Sequence, residues 1–315
     1  MRPGKGTRMA NITVVGSLNM DLVVRTPRIP RPGETIIGSD FHTIPGGKGA
    51  NQAVAAAKLQ ARVSMVGRVG NDDFGRALLT NLSAVGINSD FVKIDPAAAS
   101  GIALITVEDS GQNNIVLASG ANMALTVQDI ESAEERIAQS QIILLQLESP
   151  VAAVQAALRL AKKRGVTTVL NPAPAQPLPE ELLRDVDILV PNESETSLLT
   201  GLPVETPAQA EVAAEQLRRM GIGTVILTLG ARGAFVSSAR ESGFFPSYPI
   251  KAVDTTAAGD AFLGGFAVAL AEGSSLVEAT RRGNAAGALA ATKLGAQPSM
   301  PTRAEWDQFY TDRTR

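Results

Sequence analysis

Residues 142–170 read IILLQLESPVAAVQAALRLAKKRGVTTVL, and this stretch decides the fold. Positions 142–147 are a short apolar run of strand length. Positions 151–163 change to an Ala- and Leu-rich helical run, and 166–170 return to a β-branched strand. Strand, helix, strand in this order is a βαβ unit, in which two parallel strands are joined by a helix. The alternation continues outward. A helix over 126–138 comes before it. A strand over 186–190, helices over 193–199 and 207–220, and a strand over 225–228 come after it. Helices over 258–271 and 275–291 close the core. The fold class that follows is α/β, with helices on both faces of a mainly parallel central sheet.

The N-terminal half departs from this pattern. Ile12, Val14 and Val15 lead into Gly16-Ser17, a buried strand ending in a turn of small residues. Residues 22–24 and 35–37 are short β-prone runs separated by Pro27, Pro30, Pro32 and Gly33, and they read as a small hairpin or flap. A helix begins at Lys48, with a strand over 63–66 and a helix over 73–85 behind it. Residues 102–107 and 115–118 form a second hairpin around Asp109 and Gly111. The chain therefore reads as one α/β domain over 11–315 with β insertions at about 19–45 and 99–119. Two ribbons that cannot each bury both faces are expected to pack together as a lid and to offer an apolar face to a second copy. Residues 1–10 are expected to be a disordered leader.

Composition narrows the chemistry. The 315 residues carry 29 Lys and Arg against 31 Asp and Glu, a formal charge of −2. That balance, with no basic stripe interleaved with aromatics, argues against nucleic acid or an anionic membrane as a partner. Cysteine is absent, so thiolate nucleophiles, disulfides, zinc ribbons and iron–sulfur clusters are excluded. His42 is the only histidine, with no Gly-x-Ser-x-Gly elbow to accompany it, so a Ser-His-Asp triad is unsupported. The apolar run 261–271, bracketed by Asp260 and Glu272, falls short of the ~20 residues a spanning helix needs. No apolar h-region follows the basic start, and the cytoplasm is the expected compartment.

In an open α/β sheet ligands gather at the carboxyl ends of strands. Polar residues follow strand after strand here: Asn19 and Asp21, Glu148, Asn192 and Glu195, and the run 228–233. The strongest segment is Asp254-Thr255-Thr256-Ala257-Ala258-Gly259-Asp260, which opens a helix. Three small residues at a helix start leave its N–H groups bare, and with the helix dipole they make an anion site. A lone Asp260 would pass for a capping residue. Beside such an anion hole, a carboxylate suits phosphoryl transfer, accepting a hydroxyl proton while the amides hold the moving charge. The second segment is Pro45-Gly46-Gly47-Lys48-Gly49-Ala50-Asn51, where glycines admit a ligand and Lys48 and Asn51 supply donors. It is not a Walker A loop, since His42 stands where that loop's first glycine belongs and Gly49 where Ser or Thr belongs. No Gly-x-Gly-x-x-Gly occurs either.

These two segments resemble the signature regions of the ribokinase (PfkB) family of carbohydrate kinases. The resemblance runs from about Asn11 to about Pro301 and includes residues 16–21, 146–150, 192–195 and 295–299. It implies the ribokinase-like three-layer α/β/α sandwich with a small β lid, and ATP-dependent phosphorylation of D-ribose at its 5-hydroxyl. Asn19, Asp21, Gly46, Gly47, Lys48, Asn51 and Glu148 would hold the sugar. Asp260 would be the general base, with Ala257, Ala258 and Gly259 forming the anion hole. Asn192, Thr228, Gly230, Ala231, Arg232, Gly233, Gly259 and Asn284 would line the ATP site. Mg2+ would be held through water by Glu195. K+ would sit among Asp254, Thr256, Ser299 and carbonyls near Ala290, Lys293 and Gly295. A homodimer through the lids is also implied. The alternatives are a kinase of the same family acting on 2-deoxyribose, a nucleoside or a hexose, and a non-catalytic sugar-binding regulator on the same scaffold.

Overall fold

The computed structural model describes residues 9–314. The main sheet begins with β1 (Asn11–Val15) and the lid with β2 (Asn19–Thr26) and β3 (Phe41–Gly46). Then follow α1 (Lys48–Lys58), β4 (Arg62–Gly70), α2 (Asp73–Ala84), β5 (Asn88–Asp95), β6 (Gly101–Glu108) and β7 (Asn113–Ala118). The middle of the chain holds α3 (Val127–Ser132), α4 (Glu134–Ala138), β8 (Ile142–Leu145), α5 (Val151–Lys163), β9 (Thr167–Leu170), α6 (Glu180–Leu183), β10 (Ile188–Leu189), α7 (Glu193–Thr200), α8 (Pro207–Arg219) and β11 (Thr224–Thr228). It ends with β12 (Ala234–Ser238), β13 (Ser242–Phe245), α9 (Ala258–Ala271), α10 (Leu276–Ala290), α11 (Ala296–Ser299) and α12 (Arg303–Thr314).

Nine strands form the central sheet in the order β13-β12-β11-β10-β9-β8-β1-β4-β5. From β11 to β5 every pairing is parallel, while β12 and β13 add an antiparallel edge. A parallel sheet covered on both faces needs strands that are apolar on both sides. The chain supplies them. Ile12, Val14, Ile142, Leu144 and Ile226 point into one buried cluster with α1, α2, α9 and α10. Val15, Ile143, Leu145, Val225 and Leu227 point into the other with α3 to α6 and α8.

The sequence-based reading is corrected at several places. The second ribbon strand is Phe41–Gly46, not 35–37. The three prolines keep 27–38 in a loop, Ile37 is 90% exposed, and the ladder to β2 starts at the pair Val24 and Phe41. The helix expected over 126–138 divides at Ala133 into α3 and α4. β5, the β12–β13 edge and α12 were not expected. Residues 1–8 of the expected leader lie outside the described residues. Ala10 is buried, and its carbonyl accepts the Arg62 N–H at 2.8 Å.

The two β insertions meet in a second, four-stranded sheet of order β3-β2-β6-β7. Pairing of β2 with β6 is parallel. Paired residues share a face, so Asp21 lies in one row with Ile44, Ala103 and Leu117.

Candidate active site

The turn from β1 into β2 packs directly on the first turn of α1. Gly47 makes this possible. Its φ is +88°, and a Cβ there would stand 2.7 Å from the Asn19 nitrogen. The Ala50 N–H donates to the Ser17 carbonyl at 2.9 Å and the Gly49 N–H to Ser17 Oγ at 3.3 Å. Glu148, just beyond β8, gathers this corner. Its Oε2 accepts from Ser17 Oγ at 2.5 Å, the Lys48 N–H at 3.2 Å and Asn19 Nδ2 at 3.4 Å. Asn122 fixes Asn19 from behind, donating to its Oδ1 at 2.7 Å while accepting the Leu18 N–H at 2.9 Å. Gly46 lies against the Asp21 carboxylate, where any Cβ would collide with it.

Asp260 sits buried in the first turn of α9, facing α1. Asn51 Nδ2 donates to its Oδ2 at 3.1 Å and Gln52 Nε2 to its Oδ1 at 3.0 Å. Asn51 Oδ1 is left buried without a partner among the described residues. An unpaired buried acceptor beside a carboxylate is suited to a ligand hydroxyl.

The charges here are coupled. Burial pushes the Asp260 carboxyl above the ordinary value, while Lys48, Gln52 and Asn51 pull it back and Glu148 adds to the rise. Burial, then the Glu148 and Asp260 carboxylates, push Asp21 up to about 7. Burial works against the Lys48 charge, but Asp260, Glu148 and Glu195 outweigh it and hold the ammonium above its ordinary value. A polar floor of carboxylates, amides and one cation is what a small polyol needs for recognition.

At the start of α9, Ala257 is left-handed (φ +58°) and no side chain caps the helix. The Ala258 N–H is turned back onto the Thr255 carbonyl at 3.2 Å. The Gly259 and Asp260 amides have no partner among the described residues. Nothing lies within 4 Å of where a Gly259 Cβ would be, so that end of the helix is open to an anion.

The other expected residues border this end. Asn192 caps α7, its Oδ1 accepting the Glu195 N–H at 2.9 Å while Glu195 Oε2 accepts the Asn192 N–H at 2.8 Å. Glu195 is thus part of a capping box, and it is buried. Burial raises its pKa against the opposing pull of the Asn192 N–H and Lys48. An isolated bridge pairs Asn192 with Thr228. The turn Gly230–Arg232 follows, but the Arg232 side chain is turned to Glu193 and to the Glu205 carbonyl. A Cβ on Gly233 would stand 2.2 Å from the Phe245 carbonyl oxygen. That oxygen accepts from Asn284 Nδ2 at 3.0 Å, so α10 joins the same wall.

Asp254 links two loops. Its Oδ1 accepts the Thr256 N–H and its Oδ2 the Gly295 N–H, each at 2.9 Å. Although burial opposes it, these donors hold its pKa below the ordinary value. The Lys293 N–H donates to the Ala290 carbonyl at 3.1 Å and its ammonium pairs with Glu305. Ser299 Oγ donates to the Ala296 carbonyl at 2.7 Å, leaving its lone pairs free. One ionised carboxylate among neutral oxygens is a donor set that fits a single hard cation of low charge. Among the described residues no cluster of three or more His, Asp or Glu is arranged to hold a metal.

Ser17, Gln52, Asn122 and Gln146 were missed in the sequence. None is marked out by its neighbours in the sequence, and only the fold gives each its partner. Two surface clefts of about 660 and 520 Å3 lie at the opposite end of the sheet. Val212, Arg219 and Ser242 line the first and Asp187, Thr224 and Arg240 the second, and neither holds any of these residues.

Residues 9–303 match the family model described as pfkB family carbohydrate kinase. The ribokinase of Haemophilus influenzae is 46% identical over 95% of this chain and 97% of its own. A deoxyribokinase of Salmonella typhi is 38% identical over 95% of this chain and 98% of its own. The structure of Arabidopsis thaliana ribokinase complexed with ribose and ATP superposes with a TM-score of 0.89 and 36% identity, covering 96% of this chain and 99% of that one. On its sequence, its fold and the geometry of the α1–α9 corner, the chain belongs to the pfkB family of carbohydrate kinases.

Proposed function

We propose that the protein transfers the γ-phosphoryl group of ATP to the 5-hydroxyl of D-ribose, giving ribose 5-phosphate and ADP. The observation that carries this reading is the buried Asp260 carboxylate, held by Asn51 and Gln52, one residue beyond the uncapped Gly259 amide. Asn19, Asp21, Lys48, Asn51 and Glu148 bind the sugar hydroxyls, with Gly46 and Gly47 letting the ligand approach the backbone. Asp260 accepts the 5-hydroxyl proton as the new O–P bond forms. The bond from the γ-phosphorus to the bridging oxygen breaks, and its electron pair leaves with ADP. The α9 amides hold the charge that develops on the equatorial oxygens. Asn192, Thr228, the 230–233 turn and Asn284 line the nucleotide side.

Glu195 would hold the hydration shell of Mg2+. Asp254, Thr256 and Ser299, with the carbonyls of Ala290, Lys293 and Gly295, would hold K+. When bound, the two ions neutralise phosphate charge and order the loop that carries the anion hole. The proposal includes one kinase domain over 11–315, a cytoplasmic location, where ATP is supplied, and a homodimer through the exposed apolar residues of the lid. Among the described residues no helix is long and apolar enough to cross a membrane.

A coupled ADP-release assay over pentoses, hexoses and nucleosides tests the reading, with the highest kcat/KM expected for ribose. The 38% identity to a deoxyribokinase favours one second reading, with 2-deoxyribose as the preferred substrate. The ratio of the two kcat/KM values separates them.

A further inference from the structure

Gln52 and Gln146 lie beneath the proposed base, and in the reaction as described neither touches the sugar or the transferred group. Both are completely buried. Gln52 Nε2 donates to Asp260 Oδ1 at 3.0 Å, and Gln52 Oε1 accepts from Gln146 Nε2 at 2.6 Å. Gln146 Oε1 is buried without a partner and points at the end of β1. A Cβ on Gly16 would stand 2.0 Å from it, so only glycine leaves room for this amide.

The polarity of the chain is fixed by its end. Asp260 must be met by a donor, which directs the Gln52 oxygen away from it. That oxygen then requires a donor in turn, and Gln146 can supply one only with its own oxygen turned toward Gly16. Reversing either amide would set oxygen against oxygen.

We propose that Gln52, oriented by Gln146, is a positioning residue for Asp260: it pins Oδ1 and leaves Oδ2, beside Asn51, to receive the proton of the acceptor hydroxyl. This rests on the reading of Asp260 as the base. Around Asp260 stand Lys48 from α1, Asp21 from β2, Glu148 after β8 and Glu195 from α7, so the carboxylate is set among several charges whose sum the glutamine pair does not alter.

The test compares Gln52→Met, Gln146→Met and Gln146→Glu in the full chain, by single-turnover phosphorylation of ribose across pH and by calorimetric ribose affinity. Gln52→Met removes a donor to the carboxylate, so the acid limb of its rate profile is expected to move to higher pH. Its plateau rate is expected to fall about ten-fold, part of the ~10²–10⁴ that general-base assistance supplies. Ribose Kd is expected to stay within two-fold. Gln146→Glu, though isosteric, replaces the donor with an acceptor, turns the Gln52 amide over and is expected to be slower than Gln146→Met. A merely structural role predicts an unmoved acid limb in Gln52→Met, with the order of the Gln146 variants set by the cost of burying a carboxylate. An unmoved acid limb in Gln52→Met, or Gln146→Glu no slower than Gln146→Met, overturns the proposal. Should Gln52→Met fail to fold, the acid limb of Gln146→Met decides, an unmoved limb there overturning the proposal. Asp260→Asn run in parallel separates the two failures: full activity there removes the base itself, whereas inactivity there with unmoved glutamine variants removes only the positioning role.

Discussion

At the level of single residues, Asp260 is a buried carboxylate and Asp21 a half-buried one, and their surroundings differ. Asp260 receives two amide donors and faces the bare start of α9. Asp260→Asn is expected to lower kcat by ~10²–10⁴ with ribose Kd changed only a few-fold, measured by steady-state kinetics and calorimetry. Asp21 stands in an apolar row beside two other carboxylates and is pushed up from 3.8 to about 7. Between these values the folded protein holds a proton that the unfolded chain has released. The stability Asp21 contributes is therefore fully present below about 4, falls as pH rises to about 7 and is level above it. Hydroxyl binding runs the other way, because the ionised form is the stronger acceptor. The ribose KM is expected to fall as pH rises through 7. Asp21→Asn is expected to flatten that profile and raise KM about 10- to 100-fold, the worth of a hydrogen bond to a charged group. A profile unchanged in the variant would assign the titration elsewhere.

Among the elements, α12 and the loops at 254–257 and 293–299 show what the sequence does and does not disclose. Helices α1, α5 and α9 were legible because small and apolar residues repeat at helical spacing with breakers at their ends. The strand expected over 35–37 was misjudged and that over 186–190 is shorter, Ile188–Leu189, because β propensity is local, whereas ladder pairing is set by partners far along the chain. Nothing in residues 303–314 announces a buried helix. Trp306 is fully buried there, with the Arg282 and Arg303 guanidinium groups 5.0 and 5.3 Å from its ring and its indole N–H donating to the Arg282 carbonyl at 2.8 Å. Trp306→Ala is expected to cost about 3–5 kcal/mol in denaturant unfolding. The segments 45–51 and 254–260 were legible as motifs. The amides behind them were not, since Gln52, Gln146 and Asn122 acquire meaning only through contacts across the sheet. The two loops joined by Asp254 lead to a further expectation. Replacing K+ with Na+ lowers kcat/KM, and Asp254→Ala removes the difference between the two salts. Equal rates in both salts for the parent protein would refute the cation site.

Considered whole, the molecule has a closed core and an unclosed lid. Ile115, Val116 and Leu117 on the edge strand β7, Leu104 on the neighbouring β6 and Phe41 on the opposite edge strand β3 are exposed, apolar residues that a lone chain leaves uncovered. Sedimentation at micromolar concentration is expected to give a dimer, and Ile115→Lys with Leu117→Lys a monomer. A monomeric parent would contradict the proposed assembly.

The strand β2 carries Asn19 and Asp21, two residues proposed to bind the sugar, at its base and runs outward to Thr26. At roughly 3.3 Å per residue the span from fulcrum to tip is about 23 Å. A swing of about 10° at Asn19 would sweep Thr26 through about 4 Å but Asp21 through only about 1 Å. A lid hinged at that point would move its far end several ångströms while the proposed sugar-binding groups at its base hardly leave their stations.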